Sequence, residues 1–328
     1  MKNIRFKAFE VSEVNEEFTG KIVDKEIKDL PAGDLIVKVK FSSLNYKDAL
    51  SAIGNKGVTR EYPHTPGIDA AGIVVEDQSG LYKKGDKVIV TGYDLGMNTD
   101  GGFEEYIRIP SEWAVKLPSN LTLRESMIYG TAGFTAALSV YKLIAAGVKK
   151  KKILVTGASG GVGSFACAIL SKSGYNVTAA TGKIEAKDYF NNLGVKNVID
   201  RKKIDNSSGK MLLKEEWDGV IDTVGGNMLS TAIKSTKYNG AVTCCGNVAS
   251  ARLDLNVYPF ILRGISLIGI DSVQCRRDLR EDIWQKIASD WKLDQIDSFS
   301  TQIFLEDLKD QIDKMLAGES KGRIIVKL

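Results

Sequence analysis

A glycine-rich stretch between two apolar runs is the part of this 328-residue chain whose spacing points most directly to ligand chemistry. Ile153–Val155 is a short apolar run, Thr156–Gly163 is a glycine-rich turn, and Val162–Ser173 carries apolar residues at helical spacing. Glycines let the backbone approach a pyrophosphate closely, and the free N–H groups at a helix start point at it. The strict G-x-G-x-x-G spacing is absent, so a tight turn with close helix–strand packing is the alternative interpretation. The placement between strand and helix favours a dinucleotide site, with contacts at Ser159, Gly160, Gly161, Val162 and Gly163.

A hydroxyl and two cations follow the next predicted strands. A site that prefers NAD usually has Asp or Glu after the second strand to hold the ribose 2′-hydroxyl. This chain has Thr181, Gly182 and Lys183 there, and Arg201 follows the third strand. A hydroxyl and cations suit a 2′-phosphate and therefore NADPH. The alternative is that Lys183 and Arg201 are solvated surface cations.

The remaining strand ends complete the predicted cofactor site. Ligands of an open parallel sheet bind outside the carboxyl ends of its strands. Those ends predict further cofactor contacts at Gly225, Asn247, Asp271 and Ser272. Thr131 is a further candidate for the nicotinamide end, with a buried threonine in helix packing as the alternative.

The elements that must position these residues alternate between strands and helices. Six strand signals begin at Ile153, and six is the number that a full dinucleotide-binding sheet uses. Helices are predicted over Met228–Lys237, Arg277–Lys292 and Ile303–Leu316. The fold class predicted is α/β, with a doubly wound six-stranded parallel Rossmann sheet and a second, β-rich domain.

The first part of the chain has a different pattern from the middle. Short strand candidates at Asp34–Phe41, Ile68–Val75 and Asp86–Thr91 are separated by glycines and prolines. Two helices are predicted over Arg124–Gly147, broken near Gly130 and Gly133, and Arg323–Leu328 is a final strand expected to rejoin the β-rich domain. The predicted domains are therefore residues 1–123 for the β-rich part, 124–272 for the Rossmann part, and 273–328 for a C-terminal return.

Composition excludes several classes of function. Hydrophobic residues make up 43% and charged residues 26%, as in an ordinary soluble protein, and the formal net charge is only +4. No basic stripe alternates with aromatic residues, so nucleic acid is not an expected partner, and the Lys149–Lys152 run is predicted to be solvated. No apolar run spans a membrane and the N-terminus lacks a signal-peptide pattern, so a cytoplasmic protein is expected.

Metal ligands are scarce in the sequence. The chain has four cysteines without C-x-x-C spacing and a single histidine, His64. The cysteines are predicted to be buried thiols, and neither a histidine-based metal site nor a Ser-His-Asp triad has enough residues.

Seven motifs together carry a family resemblance over nearly the whole chain. The chain resembles the zinc-free quinone oxidoreductase branch of the medium-chain dehydrogenases/reductases, and within it the acryloyl-CoA reductases and NADPH-dependent quinone oxidoreductases. The motifs are SSLNYKDAL (42–50), YPHTPGIDAAG (62–72), GGFEEY (101–106), GTAGFTAA (130–137), VTGASGGVGS (155–164), DTVGG (222–226) and PFILRGISLIGIDSV (259–273).

The resemblance implies an architecture and the absence of a metal. It implies a GroES-like β-rich substrate domain interrupted by a Rossmann domain, an active site in the cleft between them, and homodimers joined through the last Rossmann strand. Zinc-dependent members carry Cys and His-Glu ligands where this chain has Asn45–Asp48 and Ile68-Asp69, and they have a four-cysteine lobe where Thr91–Gly102 has no cysteine. We therefore expect no bound zinc.

The resemblance also implies reductase chemistry. Reduction of a conjugated C=C takes a hydride from the nicotinamide and leaves enolate charge on the carbonyl oxygen, which needs donors or a cation. The candidates for this role are Tyr46, Lys47 and Arg323, with Asn45 and Asp48 as orienting groups. The alternatives are a polar helix start for Asn45–Asp48 and a surface position for Arg323.

The function expected is NADPH-dependent reduction of a conjugated C=C, with acryloyl-CoA to propionyl-CoA favoured. Reduction of free quinones or enones is the alternative within the same class. A non-enzymatic NADPH-binding protein is the alternative from another class, since zinc-free relatives have been recruited to such roles.

Overall fold

The computed structural model describes residues 4–149, 152–320 and 322–328, so Lys150 and Lys151 of the predicted solvated lysine run lie outside it. These residues form two compact units. One unit comprises the described residues of Met1–Thr131, Val273–Ala288 and Asp294–Leu328, and the other comprises those of Ala132–Ser272 with Ser289–Leu293.

Most strands of the first unit come before residue 117. The elements before β8 are β1 (Arg5–Val14), β2 (Glu17–Glu26), β3 (Leu35–Leu44), α1 (Tyr46–Ala52), β4 (Asp69–Asp77), β5 (Lys87–Thr91), β6 (Tyr106–Ile109), β7 (Ala114–Lys116) and α2 (Leu123–Ala145), whose last residues from Ala132 belong to the second unit. The predicted break in α2 is present at Gly130, whose φ of 50° interrupts the helix. No break is found at Gly133, because the helix continues through it.

The second unit contains the predicted α/β alternation. Its elements are β8 (Lys152–Val155), α3 (Gly161–Lys172), β9 (Asn176–Thr181), α4 (Lys187–Asn192), β10 (Asn197–Asp200), β11 (Trp217–Asp222), α5 (Gly226–Lys234), β12 (Thr236–Cys244), α6 (Tyr258–Arg263) and β13 (Ser266–Gly269). The strands form a six-stranded sheet in the order β10-β9-β8-β11-β12-β13, and all of its pairings are parallel. This is the doubly wound order in which the direction of strand addition reverses at β8, so the predicted fold class is confirmed.

The rest of the chain returns to the first unit. It forms α7 (Arg277–Ala288), β14 (Ser300–Phe304), α8 (Leu308–Leu316) and β15 (Arg323–Lys327). The expected return of the last strand is confirmed, because β15 pairs antiparallel with β3 in a seven-stranded sheet.

Three predicted helices have wrong boundaries. Ile303 and Phe304 lie in β14 rather than in a helix, because they pair with β15. Thr236 and Lys237 belong to β12 rather than to the preceding helix, since Thr236 pairs with Trp217. The helix predicted over Arg277–Lys292 ends at Ala288.

Two local features place the chemistry-bearing residues. Gly174 has a φ of 81° and follows the C-cap of α3, where a glycine commonly ends a helix. At α1, the Asp48 carboxylate accepts a hydrogen bond of 2.7 Å from the backbone N–H of the N-cap residue Asn45.

Among the described residues, no helix has the length and apolar character needed to cross a bilayer.

Candidate functional site

An open groove of about 600 Å³ lies at the carboxyl ends of the second unit's last strands. Asn247 and Asp271, both predicted to contact a cofactor, line it. Its other lining residues are Cys244, Cys245, Gly246, Gly269 and Ile270. The two cysteines were not predicted to line a site, and burial raises the pKa of the Cys245 thiol to about 12, which disfavours a reactive thiolate.

The glycine-rich turn joins β8 to α3 with very little space between them. Gly157 has a φ of 58°, and a Cβ built on Gly163 would lie 2.3 Å from the carbonyl oxygen of Gly157. Only glycine at position 163 therefore allows this approach. The backbone N–H groups of Gly161 and Val162 stand at the start of a twelve-residue helix, where an anion is favoured.

Two hydroxyls and the guanidinium of Arg201 lie near one another at the end of β9. Thr181 donates to the hydroxyl of Ser159 at 3.1 Å and accepts a hydrogen bond from the backbone N–H of Lys183. The guanidinium of Arg201 lies against Gly182, where an added Cβ would be 3.2 Å from its Nε atom. Lys183 and Arg201 are both exposed. Two cations and a hydroxyl beside the glycine-rich turn can bind a phosphate.

Asp222, which was not predicted as a site residue, connects the carboxyl end of β11 to that of β8. Its buried carboxylate accepts hydrogen bonds from the hydroxyl of Thr156 at 2.6 Å and from the N–H of Gly225 at 2.8 Å. Burial raises the pKa of this carboxyl, while the Thr156 hydrogen bond lowers it. Asp222 therefore fixes the turn that carries Gly225.

Ser272, predicted as a cofactor contact, is hydrogen-bonded within the second unit. Its hydroxyl accepts a hydrogen bond of 2.8 Å from Thr135.

A buried polar cluster in the first unit surrounds Asp69, which was noted only as a residue in place of a zinc ligand. We call Ser43, Asn45, Asp48, Asp69, Thr131 and Arg323 the Asp69 cluster. The Asp69 carboxylate accepts hydrogen bonds from Ser43 Oγ at 2.6 Å and from Asn45 Nδ2 at 2.8 Å. It also accepts from Thr131, through the backbone N–H at 3.0 Å and through Oγ1 at 2.6 Å.

Arg323 is held inside this cluster and is not a surface residue. Its guanidinium donates to the carbonyl oxygens of Ile128 and Leu44 and to Asn45 Oδ1, and it lies 3.8 Å from Asp69 Oδ2. Burial lowers its pKa, and the nearby Asp69 and Asp48 carboxylates raise it. Its N–H groups therefore point at protein oxygens and hold the Asp69 cluster together, and contact of Arg323 with a substrate stays a prediction.

Asp48 connects the cluster to the start of α1. Its Oδ1 accepts a hydrogen bond of 2.8 Å from the N–H of Ile68, and its Oδ2 accepts one from Asn45. Burial raises the pKa of Asp48 from 3.8 to about 7. A raised folded-state pKa means that its contribution to stability is full below pH 3.8 and is lost as the pH rises towards 7.

Tyr46 and Lys47 are the groups of this motif that remain accessible. Tyr46 is 55% exposed at the first position of α1, and Lys47 is half-buried, with its Nζ 3.8 Å from Met97 Sδ. Both side chains can therefore donate to an added ligand, whereas Asn45 and Asp48 are committed to the cluster. Two interpretations of Asn45 and Asp48 were predicted, a polar helix start and a role in orienting neighbouring groups. The observed hydrogen bonds are compatible with both, so the orienting role stays a prediction.

Metal ligands do not converge in the described ranges. Among residues 4–149, 152–320 and 322–328, no three His, Cys, Asp or Glu side chains are placed to hold a metal ion. The absence of zinc stays a prediction, which elemental analysis of the purified protein can test.

Two models of known protein families match parts of this chain. Residues 31–119 match the alcohol dehydrogenase GroES-like domain, and residues 161–289 match the domain described as zinc-binding dehydrogenase. The "Putative quinone oxidoreductase YhfP" of Bacillus subtilis is 42% identical over 98% of this chain and 99% of its own length. The chain belongs to the medium-chain dehydrogenase/reductase family. Its relatives within that family are named quinone oxidoreductases and acrylyl-CoA reductases, as the resemblance implied.

Further relatives come with named activities or bound cofactors. Acrylyl-CoA reductase AcuI of Ruegeria pomeroyi is 40% identical over 92% of each chain. The YhdH oxidoreductase of Salmonella enterica, solved in complex with NADP, is 37% identical, with a TM-score of 0.95 over 98% of this chain and 99% of its own. YhfP, solved with NAD bound, has a TM-score of 0.97 over 99% of this chain and 100% of its own.

Proposed function

We propose that this chain is an NADPH-dependent reductase of conjugated C=C bonds, acting on acryloyl-CoA to give propionyl-CoA. The observation that carries the cofactor choice is the position of Arg201 against Gly182, next to Lys183 at the end of β9, where an acidic residue would favour NAD. The relative with NADP bound supports this choice, and the relative with NAD bound makes it worth testing. The choice of a thioester rests on the relatives named acrylyl-CoA reductases.

The cofactor residues follow from the sheet. The start of α3 and the Ser159–Thr181 hydroxyl pair bind the pyrophosphate and the ribose, and the two cations bind the 2′-phosphate. Gly225, Asn247, Asp271 and Ser272 belong to the same proposal, as does Thr131 for the nicotinamide end. NADPH, when bound, would supply the hydride to the β carbon of the C=C bond, and a proton from solvent would add to the α carbon.

The first unit supplies the polar groups for the rest of the reaction. Tyr46 and Lys47 donate to the carbonyl oxygen of the thioester, on which negative charge develops as the C=C bond is reduced. Asp48, Asn45 and Arg323 fix the start of α1 through the Asp69 cluster, so the two donors are held in place before the substrate arrives. Preorganised donors of this kind typically contribute about 2.7–4 kcal/mol each to lowering a barrier.

Reduction of free quinones is the second candidate function. The name of the 42% identical YhfP favours it, and the same donors would serve a quinone oxygen equally well. Initial rates of NADPH oxidation with acryloyl-CoA, with benzoquinone and without acceptor separate the candidates. We expect acryloyl-CoA to be the better acceptor, and oxidation with neither acceptor would favour a non-enzymatic NADPH-binding protein.

Assembly and domain roles belong to the same proposal. Residues 124–272 bind NADPH, and residues 1–123 with 273–328 bind the substrate. The protein acts as a homodimer, supported by an exposed apolar strip beside the edge strand β13, formed by Val257, Tyr258, Ile261 and Leu262. A cytoplasmic location is supported by the free thiols of Cys167, Cys244 and Cys245, since a reducing compartment preserves thiols.

A further inference from the structure

A second buried group of charged side chains in the first unit has no part in the proposed chemistry. We call Lys25, His64, Thr65, Asp100 and Glu104 the Lys25 cluster. Lys25 lies on β2, and its Nζ donates to Asp100 Oδ2 and Thr65 Oγ1 at 2.8 Å each and to Glu104 Oε2 at 3.3 Å. Its side chain is only 11% exposed, and Glu104 is fully buried.

The desolvation free energy of the buried charges in the Lys25 cluster indicates that the cluster has a role other than stabilising the fold. A buried ion pair seldom adds net stability, because desolvation offsets its attraction. Within the described residues, Glu104 Oε1 and His64 Nε2 have no hydrogen-bond partner, so the cluster is not arranged for maximal stability either. Such a cluster is best explained by what it holds in place.

A short segment of backbone links the Lys25 cluster to the Asp69 cluster. Asp100 Oδ1 accepts a hydrogen bond of 3.0 Å from the N–H of Thr65, and Gly101 donates its N–H to the Thr65 carbonyl oxygen at 2.7 Å. The next residues are held by backbone bonds from Phe103 to Pro66 and from Gly102 to Gly67. Ile68 then donates to Asp48, which in turn accepts from Asn45 at the start of α1.

We infer that Lys25 is a positioning residue, which acts through Asp100 and the 65–68 segment to fix the start of α1 and so the donors Tyr46 and Lys47. This inference rests on the proposed function for its effect on turnover, but its structural part is independent of any substrate. A misplacement of about 1 Å at reacting groups costs up to ~100-fold in rate. Removal of one buried charge far from the donors can therefore lower turnover.

Charge in the Lys25 cluster gives the inference a pH signature. The groups facing Lys25 are Asp100 and Glu104, and His64 Nδ1 lies 3.5 Å from Asp100 on the far side. Burial raises the pKa of Glu104, whereas the His64 hydrogen bond and the Lys25 ammonium hold the pKa of Asp100 below its usual range. Without the ammonium, both carboxyls keep their protons to higher pH, and their ionisation then leaves uncompensated buried charge.

The test compares Lys25→Met with Lys7→Met, a matched control on the same hairpin. Lys7 forms an exposed ion pair with Asp24 at 2.8 Å, so its loss should change nothing. We expect Lys25→Met to lower kcat for the enoyl thioester at least about tenfold. NADPH affinity should stay within twofold. The loss should be smallest at low pH and grow as the pH rises, while the kcat profile of Lys7→Met follows that of the native protein.

Amide hydrogen exchange supplies the readout that needs no substrate. Exchange at Ile68 and Asn45 should accelerate about tenfold or more in Lys25→Met and not in Lys7→Met. Unchanged exchange, or faster exchange with unchanged kcat, would overturn the inference. If the native protein turns over neither acceptor, the proposed function fails, and the exchange result alone decides whether Lys25 holds this segment. If Lys25→Met does not fold, Asp100→Asn replaces it, since the amide oxygen can still accept from Thr65 while the ion pair with Lys25 is lost. Faster exchange at Ile68 and Asn45 is again expected, and unchanged exchange would overturn the inference.

Discussion

Lys183 and Arg201 are the residues that we propose distinguish the two nicotinamide dinucleotides. Hydrogen bonds to charged groups contribute about 1.5–3 kcal/mol each, and about 1.4 kcal/mol is a factor of ten in affinity. Lys183→Ala combined with Arg201→Ala should therefore weaken NADPH binding by about 100-fold or more and leave NADH nearly unaffected.

Titration calorimetry with both cofactors measures this difference. Lys196→Ala is the matched control. Lys196 is exposed just before β10, at the amino ends of the parallel strands, whereas the proposed phosphate site lies at their carboxyl ends. Equal losses for NADPH and NADH in the double variant would refute the assignment of the phosphate site.

Tyr46 and Arg323 were predicted to act in the same way, and the structure now separates their expected effects. Tyr46 is exposed, so Tyr46→Phe should leave the free energy of unfolding within about 0.5 kcal/mol and lower kcat/KM by about 100-fold. Arg323 is buried against Asp69, and removal of one partner of a buried pair typically costs about 3–5 kcal/mol. Arg323→Ala should therefore lower both stability and turnover.

Urea unfolding and steady-state kinetics on both variants decide this. NADPH affinity should change by less than a few-fold in Tyr46→Phe. Unchanged turnover in Tyr46→Phe would move the donor role to another residue, and an unchanged unfolding free energy in Arg323→Ala would contradict the buried pair.

At the scale of elements, the junction of β8 and α3 depends on the glycine at position 163. A methyl group there would lie 2.3 Å from the Gly157 carbonyl oxygen, so the helix must move away from the strand. Gly163→Ala should destabilise the protein by about 1–3 kcal/mol, as other overpacked sites do, and weaken NADPH binding by displacing the helix start.

Ser171→Ala on the same helix is the control. Its hydroxyl is buried without a hydrogen-bond partner among the described residues, so its removal should cost little. Thermal unfolding with and without NADPH measures both effects. A Gly163→Ala protein with native stability and native NADPH affinity would show that the close approach is unnecessary.

Local sequence was sufficient to predict the second unit's six strands, because buried parallel strands appear as apolar runs with glycines at their ends. It was insufficient for β14, whose Ile303 and Phe304 continue a helical pattern and become extended only through pairing with β15. The long β1–β2 hairpin was also missed as such. Its turn residues Asn15 and Glu16 adopt positive φ without a glycine to mark the turn.

The sequence indicated the candidate cofactor residues but not the Asp69 cluster, because that cluster, like β14, depends on contacts between distant parts of the chain. Cofactor residues follow strand ends and can be counted, whereas the Asp69 cluster joins β3, β4, the kink in α2 and β15, which only the fold brings together. One feature of the sequence could have indicated it. Asp69 is a charged residue beside Ala70 and Ala71 in a buried strand, and a buried charge requires partners.

At the scale of the whole molecule, the proposed homodimer depends on the apolar strip beside β13. Ile261 is 67% exposed and Leu262 is 57% exposed, next to a strand that forms one edge of the sheet. Such an edge can pair with a second copy of itself. Ile261→Asp with Leu262→Asp should therefore give monomers in sedimentation experiments.

Leu81→Asp is the control for this change, because Leu81 is 45% exposed and belongs to the first unit, which does not contain β13. It should leave the dimer intact. A native protein that sediments as a monomer, or a double variant that remains dimeric, would contradict the proposed interface.

Analysis of the products tests the proposed reaction. Purified protein is incubated with NADPH and acryloyl-CoA, and both NADPH oxidation and acyl-CoA products are followed over time, with benzoquinone as the competing acceptor. We expect one propionyl-CoA to form for each NADPH oxidised, at a rate that exceeds the benzoquinone rate. Rapid NADPH oxidation by benzoquinone, with no propionyl-CoA formed from acryloyl-CoA, would contradict it.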